Sequence, residues 1–374
     1  MTIVEQFARI ERKVRPLTVR LNPVVASWII SNGRKVFLSL LANDKPHERI
    51  HTPPSFRKKL WDINFNLPLF NAAGMFKNGE GYYTIASQGA GAYLAGTSTV
   101  MQRTGNSKNN IKHPVAYLPK SGMAVNWMGL PNHGHAELAK KLNHIEKIEG
   151  CPVGASISTD PSQSGQEALK GIIIGLDMFT KAQVDFIELN ESCPNVEHEE
   201  KTESINGIDK SLIDRLEFIS KIRKQSNDRF VPLIVKFSND TTPEQIPELI
   251  NILLTLRFDG VNFGNTSTDY VRHREILNEN DLKLFDYFTQ TFGGGVSGTN
   301  LKSSSFALCS AAVNSIANLN PSHEFHVIRT GGIEDTNDLD LSLEAGISLN
   351  QWFTGYFDSF AKFGHNLYEH IFNH

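Results

Sequence analysis

The sequence reads DFIELN at residues 185–190 and PLIVKF at residues 232–237, two apolar runs that are each short enough to form a buried strand. Between them, residues 211–224 have the apolar spacing of an amphipathic helix. A strand, a helix and a second strand in this order predict parallel neighbouring strands, because the helix returns the chain to the same end of the sheet. This segment therefore predicts an α/β fold.

The same alternation extends through most of the chain. Eight apolar runs are candidate strands: Leu67–Ala72, Gly91–Gly96, Pro152–Ser158, Asp185–Asn190, Pro232–Phe237, Gly260–Asn265, Phe325–Thr330 and Ser348–Phe353. Helical patterns lie between several of them, at Gln166–Thr180, Ser211–Lys224 and Pro243–Leu256. Eight such units predict a (β/α)8 TIM barrel. A doubly wound open sheet is the alternative, and it is disfavoured because no GxGxxG motif follows the first strand.

Composition excludes several classes of protein. Cys151, Cys193 and Cys309 form no CxxC pair, which argues against a disulfide framework or a zinc site and fits a reducing cytosol. We therefore expect no metal and a cytoplasmic location. No run approaches the roughly 18 apolar residues of a transmembrane helix, and the apolar stretch Val24–Ile30 is too short for a signal-peptide core.

Residues 1–62 are predicted to form a separate helical module ahead of a barrel domain at residues 63–374. The first 66 residues carry 12 Lys and Arg against 5 Asp and Glu, whereas the remaining 308 carry 25 against 35. Apolar residues recur in the module at helical spacing, namely Val25, Trp28, Ile29, Val36, Phe37, Leu40 and Leu41. We expect Asn32-Gly33 to divide this stretch into two short helices.

The basic and apolar character of the module suggests what it faces. An anionic membrane surface suits a basic segment with exposed large apolar residues better than a nucleic acid does. The alternative is an arm that only packs on the barrel. We expect peripheral contact with the inner face of the cell membrane, and no nucleic-acid partner.

Polar residues and glycines cluster where the predicted strands end, which is where barrel enzymes place their active sites. They are Lys77, Thr97, Ser98, Ser156, Ser158, Asn190, Ser192, Cys193, Asn195, Lys236, Asn265, Thr266, Gly331, Gly332, Thr354 and Gly355. Glycines after the seventh and eighth strands are typical of a phosphate site, although they can equally be simple turns. The longest connections, residues 97–151 and 266–324, are expected to cover this end of the barrel.

Several motifs resemble one family. Asn190-Glu-Ser-Cys-Pro-Asn195 is similar to the NxSCPN signature of dihydroorotate dehydrogenases. Further matches follow in the family's order: Ala72-Ala-Gly-Met-Phe-Lys-Asn-Gly79, Asn126-Trp-Met-Gly-Leu-Pro-Asn132, Ile234-Val-Lys236, Asn265-Thr266, Gly293-Gly-Gly-Val-Ser-Gly298 and Thr330-Gly-Gly-Ile333. The resemblance implies an FMN enzyme that oxidises dihydroorotate to orotate in the biosynthesis of pyrimidines and UMP.

The resemblance also implies residue roles. Cys193 matches the catalytic base that removes the proton from C5 of dihydroorotate. The implied substrate-binding residues are Lys77, Asn126, Met128, Gly129, Leu130, Asn190, Asn195, Asn265 and Thr266. The implied cofactor-binding residues are Ala73, Gly74, Thr97, Ser156, Asn190, Lys236, Gly264, Gly295, Ser297, Gly298, Gly331, Gly332, Phe353 and Thr354.

The electron acceptor is the least determined part of this interpretation. Cys193 and Ser156 resemble the soluble class of the family, whereas Lys77 and the N-terminal module resemble the membrane-associated class. We expect a quinone, with fumarate, or NAD through a partner, as alternatives. Glu191 and Trp127 replace residues usual in the family, so a related flavin barrel acting on another dihydropyrimidine or an enone stays open, as does a non-catalytic flavin-binding partner protein at a membrane.

Overall fold

The computed structural model of the chain describes residues 1–46, 48–191, 204–205, 207–225 and 229–372. Its helices are α1 Ile3–Thr18, α2 Pro23–Leu41, α3 Tyr82–Ser87, α4 His135–Asn143, α5 Gly165–Lys181, α6 Lys210–Gln225, α7 Ile246–Thr255, α8 Tyr270–Glu275, α9 Glu279–Thr291, α10 Lys302–Leu319, α11 Thr336–Glu344, α12 Thr354–Phe363 and α13 Leu367–Phe372. Its strands are β1 Lys58–Leu60, β2 Ile63–Phe65, β3 Leu69–Asn71, β4 Tyr93–Ser98, β5 Ser107–Lys108, β6 Ile111–Lys112, β7 Val115–Leu118, β8 Met123–Asn126, β9 Val153–Ile157, β10 Phe186–Asn190, β11 Ser204–Ile205, β12 Ile208–Asp209, β13 Leu233–Phe237, β14 Gly260–Phe263, β15 Gly295–Gly298, β16 His326–Thr330 and β17 Leu349–Trp352.

The predicted (β/α)8 barrel is confirmed. Eight parallel strands lie in the order β3-β17-β16-β14-β13-β10-β9-β4, and each coincides with one of the eight apolar runs. The barrel closes between β3 and β4, where the Asn71 side chain replaces part of a backbone ladder. Its amide nitrogen donates to the Leu94 carbonyl at 2.8 Å, and its oxygen accepts from the Leu94 N–H at 3.2 Å.

The barrel interior has two layers of different chemistry. Because side chains alternate along a strand, every second residue points inward. The lower layer is apolar and consists of Phe70, Leu94, Phe186, Ile234, Ile328 and Leu349. The hairpin β1–β2 closes this end with Trp61 and Phe65, and the Trp61 indole N–H donates to the Asp259 carbonyl at 3.0 Å. Two residues further along the strands, the interior is polar.

A small antiparallel sheet covers the opposite, carboxyl end of the barrel. It has the order β15-β8-β7 and is formed by the long connections that follow β4 and β14. Its apolar face packs with α9 and α2 through Val115, Val125, Phe288 and Val296. The expectation that these long connections cover the carboxyl end of the barrel is therefore confirmed.

The N-terminal helices pack on the barrel as well as on each other. Phe37 of α2 lies 6.1 Å from Phe357 and 5.8 Å from Phe360 of α12, measured between ring centroids. The predicted break at Asn32-Gly33 is wrong, because α2 is continuous from Pro23 to Leu41. The hydroxyl of Ser31 donates to the Val115 carbonyl at 3.2 Å and accepts from the Val115 N–H at 2.9 Å, so contact with the covering sheet outweighs the weak helix propensity of Asn and Gly.

The division between module and barrel at residue 62 stays a prediction, since the hairpin β1–β2 spans that position. Helix α2 is the one helix of the described chain that is long and apolar enough to cross a membrane. Only 33% of its apolar stretch is buried inside the protein, so α2 is neither a core helix nor a fully exposed one.

A buried polar network ties the module to the last helices. The His365 ring lies 3.0 Å from the Asp44 carboxylate and 2.9 Å from the Gln88 amide, and the His365 backbone N–H donates to Glu5 at 2.9 Å. The Tyr356 hydroxyl completes the network by donating to the Gln88 oxygen at 2.9 Å. Every polar atom of the His365 ring thus has a partner.

We expect His365→Phe to destabilise the protein by about 1–3 kcal/mol, because the new ring leaves the buried Gln88 amide nitrogen without its partner and removes one of the two groups bonded to the Asp44 carboxylate, the other being the Thr2 hydroxyl. The free energy of unfolding in urea measures this. His51→Phe is the matched control, because His51 is exposed, and its effect should stay within about 0.5 kcal/mol. Equal losses in the two variants would show that the network does not hold the module in place.

Candidate active site

A single cavity occupies the carboxyl end of the barrel, beneath the covering sheet. Its volume is about 1190 Å³, part of which is open to solvent. It is lined by Arg34, Ala72, Ala73, Gly74, Lys77, Thr97, Val115, Tyr117, Ala124, Asn126, Met128, Leu130, Asn190, Lys236, Asn265, Thr266, Ser297, Gly298, Thr330, Gly331, Gly332, Ile333, Glu334, Trp352, Phe353, Thr354 and Gly355. Most of the polar residues that follow the predicted strands therefore meet in one place.

Some of the predicted site residues do not line the cavity. Ser156 lies beneath it, while Gly129, Gly264 and Gly295 lie outside the lining, packed so closely that side chains there would collide with neighbours. A Cβ atom at Gly264 would lie 1.5 Å from the Thr330 carbonyl oxygen, and one at Gly295 would lie 1.9 Å from the Thr266 hydroxyl. The two remaining predictions, Cys193 and Asn195, lie outside the described residues.

The polar layer of the barrel interior lies directly beneath the cavity, and its members Lys236 and Thr330 form part of the cavity floor. The members of the layer are Ser156, Glu188, Lys236, Asn262, Thr330 and Gln351, contributed by six different strands. The Lys236 ammonium is 3.6 Å from a Glu188 carboxylate oxygen and donates to the Gln351 side-chain oxygen at 3.3 Å. Burial lowers the pKa of Lys236, and the neighbouring Glu188 carboxylate opposes this shift without reversing it. Glu188 is thus the group beneath the cavity that favours the charged form of the lysine.

One end of the cavity carries amide and hydroxyl groups suited to a flat polar ring. Asn190 donates to the Thr97 hydroxyl at 3.0 Å, and Asn126 donates to the Gly295 carbonyl at 3.3 Å. The Thr266 hydroxyl is buried and has no hydrogen-bond partner in the described part of the protein. A buried hydroxyl without a partner costs free energy, so this position is suited to a ligand that supplies the missing bond.

The other end of the cavity is built of glycines and a helix N-terminus. Gly298, Gly331 and Gly332 have positive φ angles of 120°, 120° and 70°. A Cβ atom at Gly332 would lie 2.3 Å from Lys302 Cα, so the position has no room for a side chain. Helix α12 begins at Thr354, whose hydroxyl is 3.0 Å from the Ser297 hydroxyl. Exposed N–H groups at a helix N-terminus and close backbone approach are what a phosphate group requires.

The cavity therefore fits a phosphorylated flavin. The glycine end would hold its phosphate, and Lys236 lines the same cavity. Within the described chain, no group of three or more His, Cys, Asp or Glu side chains is arranged to hold a metal ion.

Two functional residues were missed by the sequence interpretation, and both are buried charges. Glu188 is 1% exposed and lies in the polar layer, while Arg34 of α2 is 8% exposed and reaches the cavity from the N-terminal module. The Arg34 guanidinium donates to the Gly74 carbonyl at 3.5 Å and lies 5.7 Å from the Phe353 ring centroid. For Glu188 the available signal was a charged residue inside an apolar run, whereas Arg34, flanked by Gly33 and Lys35, had no comparable local signal.

The two departures from the family pattern point away from the cavity. Glu191 is paired with Arg215 of α6 at 2.8 Å. The Trp127 ring packs against Phe292, with 6.2 Å between centroids. Neither side chain lines the cavity, so neither changes the groups that would contact a substrate there.

A barrel with a polar cavity at the carboxyl ends of its strands is the architecture of a barrel enzyme. Residues 55–371 match the family model of dihydroorotate dehydrogenase. Among curated relatives, dihydroorotate dehydrogenase (quinone) of Coxiella burnetii is 26% identical over 351 residues, covering 92% of each chain. The enzyme of the same name from Nitrosomonas europaea is 27% identical over 348 residues, covering 91% of this chain and 92% of that one.

Solved structures agree on the fold. DHODH from Eimeria tenella in complex with ferulenol superposes with a TM-score of 0.73 at 21% identity, covering 91% of this chain and 89% of that one. The ligand-free form of that protein gives a TM-score of 0.72. The chain belongs to the dihydroorotate dehydrogenase family, and it is an oxidoreductase of a flavin-dependent kind.

Proposed function

We propose that this chain oxidises dihydroorotate to orotate with FMN, in the biosynthesis of pyrimidines, and that a quinone reoxidises the flavin. The observation that carries the proposal is the single cavity that combines a phosphate-binding end, a buried lysine and an amide-rich end. The family match over residues 55–371 supports the same activity.

The cofactor is proposed to be FMN because the phosphate-binding end suits one terminal phosphate. Gly298, Gly331 and Gly332 supply backbone N–H groups, together with the N-terminus of α12. Nothing in the sequence offers a site for the adenine of FAD. The bound FMN supplies a hydride acceptor, and every other part of the chemistry falls to side chains of the protein.

The substrate is proposed to lie at the amide-rich end. Asn126, Asn190 and Asn265 each carry both a donor and an acceptor, which matches the alternating edge of a pyrimidine ring. Thr266 would donate or accept one further bond, and Lys77 would pair with the substrate carboxylate. Cys193, which follows the end of β10 in the sequence, is proposed as the base that removes the C5 proton.

The acceptor is proposed to enter through a second cavity, between α1 and α2. This apolar groove of about 940 Å³ is lined by residues that include Phe7, Ile10, Val14, Ile29 and Phe37. Arg34 and Tyr117 line both the groove and the flavin cavity, so the two spaces meet at these side chains. An apolar channel suits the tail of a quinone, whereas apolar walls do not favour the binding of fumarate, which is a small dianion.

Arg34 strengthens the case for a polar head group at the inner end of the groove. Burial lowers the pKa of its guanidinium, and its polar contacts are a carbonyl and a thioether sulfur, Gly74 O and Met128 Sδ. Within the described part of the chain no carboxylate compensates its charge. A quinone oxygen would supply an acceptor at this position.

The outer face of the module is proposed to contact the inner face of the cell membrane, as a peripheral attachment. Helices α1 and α2 expose large apolar side chains, among them Ile3, Ile10, Val14, Leu17, Val25 and Trp28, and Ile10 and Val14 also line the groove. The surrounding basic residues give this segment its positive charge. A quinone dissolved in the bilayer could then reach the groove without entering water.

The direct test is to identify the cofactor and assay the reaction. We expect the purified protein to release FMN on heating, identified by chromatography, and dihydroorotate to bleach the bound flavin. We further expect turnover with a quinone to exceed turnover with fumarate or NAD. Recovery of FAD, or bleaching only by another dihydropyrimidine or an enone, would overturn the assignment. Bound FMN that no substrate reduces would instead indicate a non-catalytic flavin protein.

A further inference from the structure

Glu188 is a carboxylate enclosed in the centre of the barrel, beneath the flavin cavity and not part of its lining. It follows Phe186 of the apolar layer and precedes Asn190, which lines the cavity, so it lies one step below the site on the same inward face of β10. An ionised carboxylate is costly to bury unless it is fully hydrogen-bonded and paired.

Its partners meet that requirement. One carboxylate oxygen accepts from the Asn262 and Gln351 side-chain amides, both at 2.8 Å. The other accepts from the Ser156 hydroxyl at 3.2 Å and faces the Lys236 ammonium at 3.6 Å. Donors from four different strands therefore converge on Glu188 and fix its position.

Glu188 is the charged partner of the Lys236 ammonium. The other close polar contact of Lys236 is the Gln351 oxygen at 3.3 Å, which is neutral. The other ionisable groups on the cavity wall are Arg34, Lys77, Tyr117 and Glu334. The acid among them, Glu334, pairs with Lys302 at 3.3 Å at the glycine end. The remaining members of the polar layer, Ser156, Asn262, Thr330 and Gln351, carry no charge.

We propose that Glu188 is a positioning residue that keeps the Lys236 ammonium charged and fixed at the floor of the flavin cavity, and so sets the reduction potential of the flavin. The proposal rests on the FMN site described above. A fixed cation at the floor stabilises the negative charge that the flavin gains on reduction. Without the carboxylate, burial alone acts on the lysine and favours loss of its proton.

The test compares Glu188→Gln and Lys236→Met with the wild-type protein, each with FMN bound. The glutamine keeps an oxygen for Asn262 and Gln351 but has no charge. We expect the midpoint potential of the Glu188→Gln protein to fall below that of the wild type in alkaline buffer, approaching that of Lys236→Met. The fall should correspond to at least about tenfold in the reduction equilibrium, or about 30 mV for two electrons. In mildly acidic buffer, where the lysine regains its proton, the difference should disappear or reverse.

Asp259→Asn is the matched control. Asp259 is also a buried acid, paired with Arg223 at 2.6 Å, but it lies at the opposite, amino end of the barrel, just before β14. We expect this variant to lose stability and to keep the wild-type potential at every pH. If the potential of Glu188→Gln also follows that of the wild type at every pH, the inference is overturned, while the FMN site is left intact.

A stability measurement covers the case in which Glu188→Gln folds poorly. Removing one member of a buried pair leaves the other charge uncompensated, whereas removing both does not. The double variant Glu188→Gln/Lys236→Met should therefore unfold at a higher urea concentration than the two single losses predict by addition. Additive losses would show that the two charges are not coupled. Failure of the wild-type protein to bind FMN would contradict the proposed function as well.

Discussion

Replacement of Cys193 by serine is expected to slow flavin reduction by dihydroorotate by about 10²–10⁴-fold near neutral pH, the usual contribution of a general base. A thiol has a pKa of about 8.5 in water, so a useful fraction is thiolate near neutrality. A serine hydroxyl is a far weaker acid and is almost entirely protonated there. Stopped-flow bleaching of the flavin absorbance measures the effect, and the variant should regain rate as the pH is raised.

Orotate binding separates a chemical role of Cys193 from a structural one. The proposed contacts of the product lie on Asn126, Asn190, Asn265 and Thr266, so the dissociation constant of orotate should change little in Cys193→Ser. Cys309→Ser is the matched control, because the Cys309 thiol is buried between α10 and the barrel, where burial raises its pKa to about 12. Wild-type bleaching in the Cys193 variant would rule out its role as the base.

Filling the groove between α1 and α2 is expected to separate the two half-reactions. Gly33 lines this groove, and a Cβ atom built there meets nothing within 4 Å. The backbone therefore tolerates a side chain at this position, and the larger Gly33→Leu side chain would project into the channel and favour the helix by roughly 0.5–1 kcal/mol. We expect quinone turnover to fall by at least about tenfold, a barrier increase of roughly 1.4 kcal/mol, while bleaching by dihydroorotate stays unchanged.

Gly33→Ala provides the matched comparison, because a methyl group gives the same helix benefit with little obstruction. Its quinone turnover should match the wild type. A point variant is preferable to deletion of the module, since deletion would also remove Arg34 from the flavin cavity and expose the face of α12 that Phe37 covers. Equal quinone turnover in the leucine and alanine variants would exclude the groove as the acceptor channel, and fumarate would then become the favoured acceptor.

The barrel could be predicted from the sequence because its signal is repeated eight times and each strand is buried on both faces. Short continuous apolar runs such as Leu233–Phe237 are typical of buried parallel strands when helical patterns separate them. The predicted helix break at Asn32-Gly33 was wrong because helix propensity depends only on the local sequence. The Ser31 bonds to Val115 join positions 84 residues apart, and no local pattern contains that information.

The site residues also include some that the local sequence could identify and one that it could not. Lys236 was predicted from its position near a strand end and from the motif Ile234-Val-Lys236. A charged residue within an apolar strand is costly to bury without a partner, and this signal could have identified Glu188, two residues before Asn190. Arg34 is different, since an arginine in an amphipathic helix is ordinarily a solvated residue. Only the docking of α2 over the barrel places it in the cavity.

The meeting of the two ends of the chain has a consequence for synthesis on the ribosome. Helices α1 and α2 bury part of their apolar surface against α12, and Glu5 and Asp44 bind His365. Their docking surface is thus made roughly 320 residues after Asp44 leaves the ribosome, which at about 5–20 residues per second is a delay on the order of 16–64 s. For that interval α2, which is long and apolar enough to cross a membrane, has no barrel to pack on, and chaperones or a nearby bilayer are the surfaces open to it.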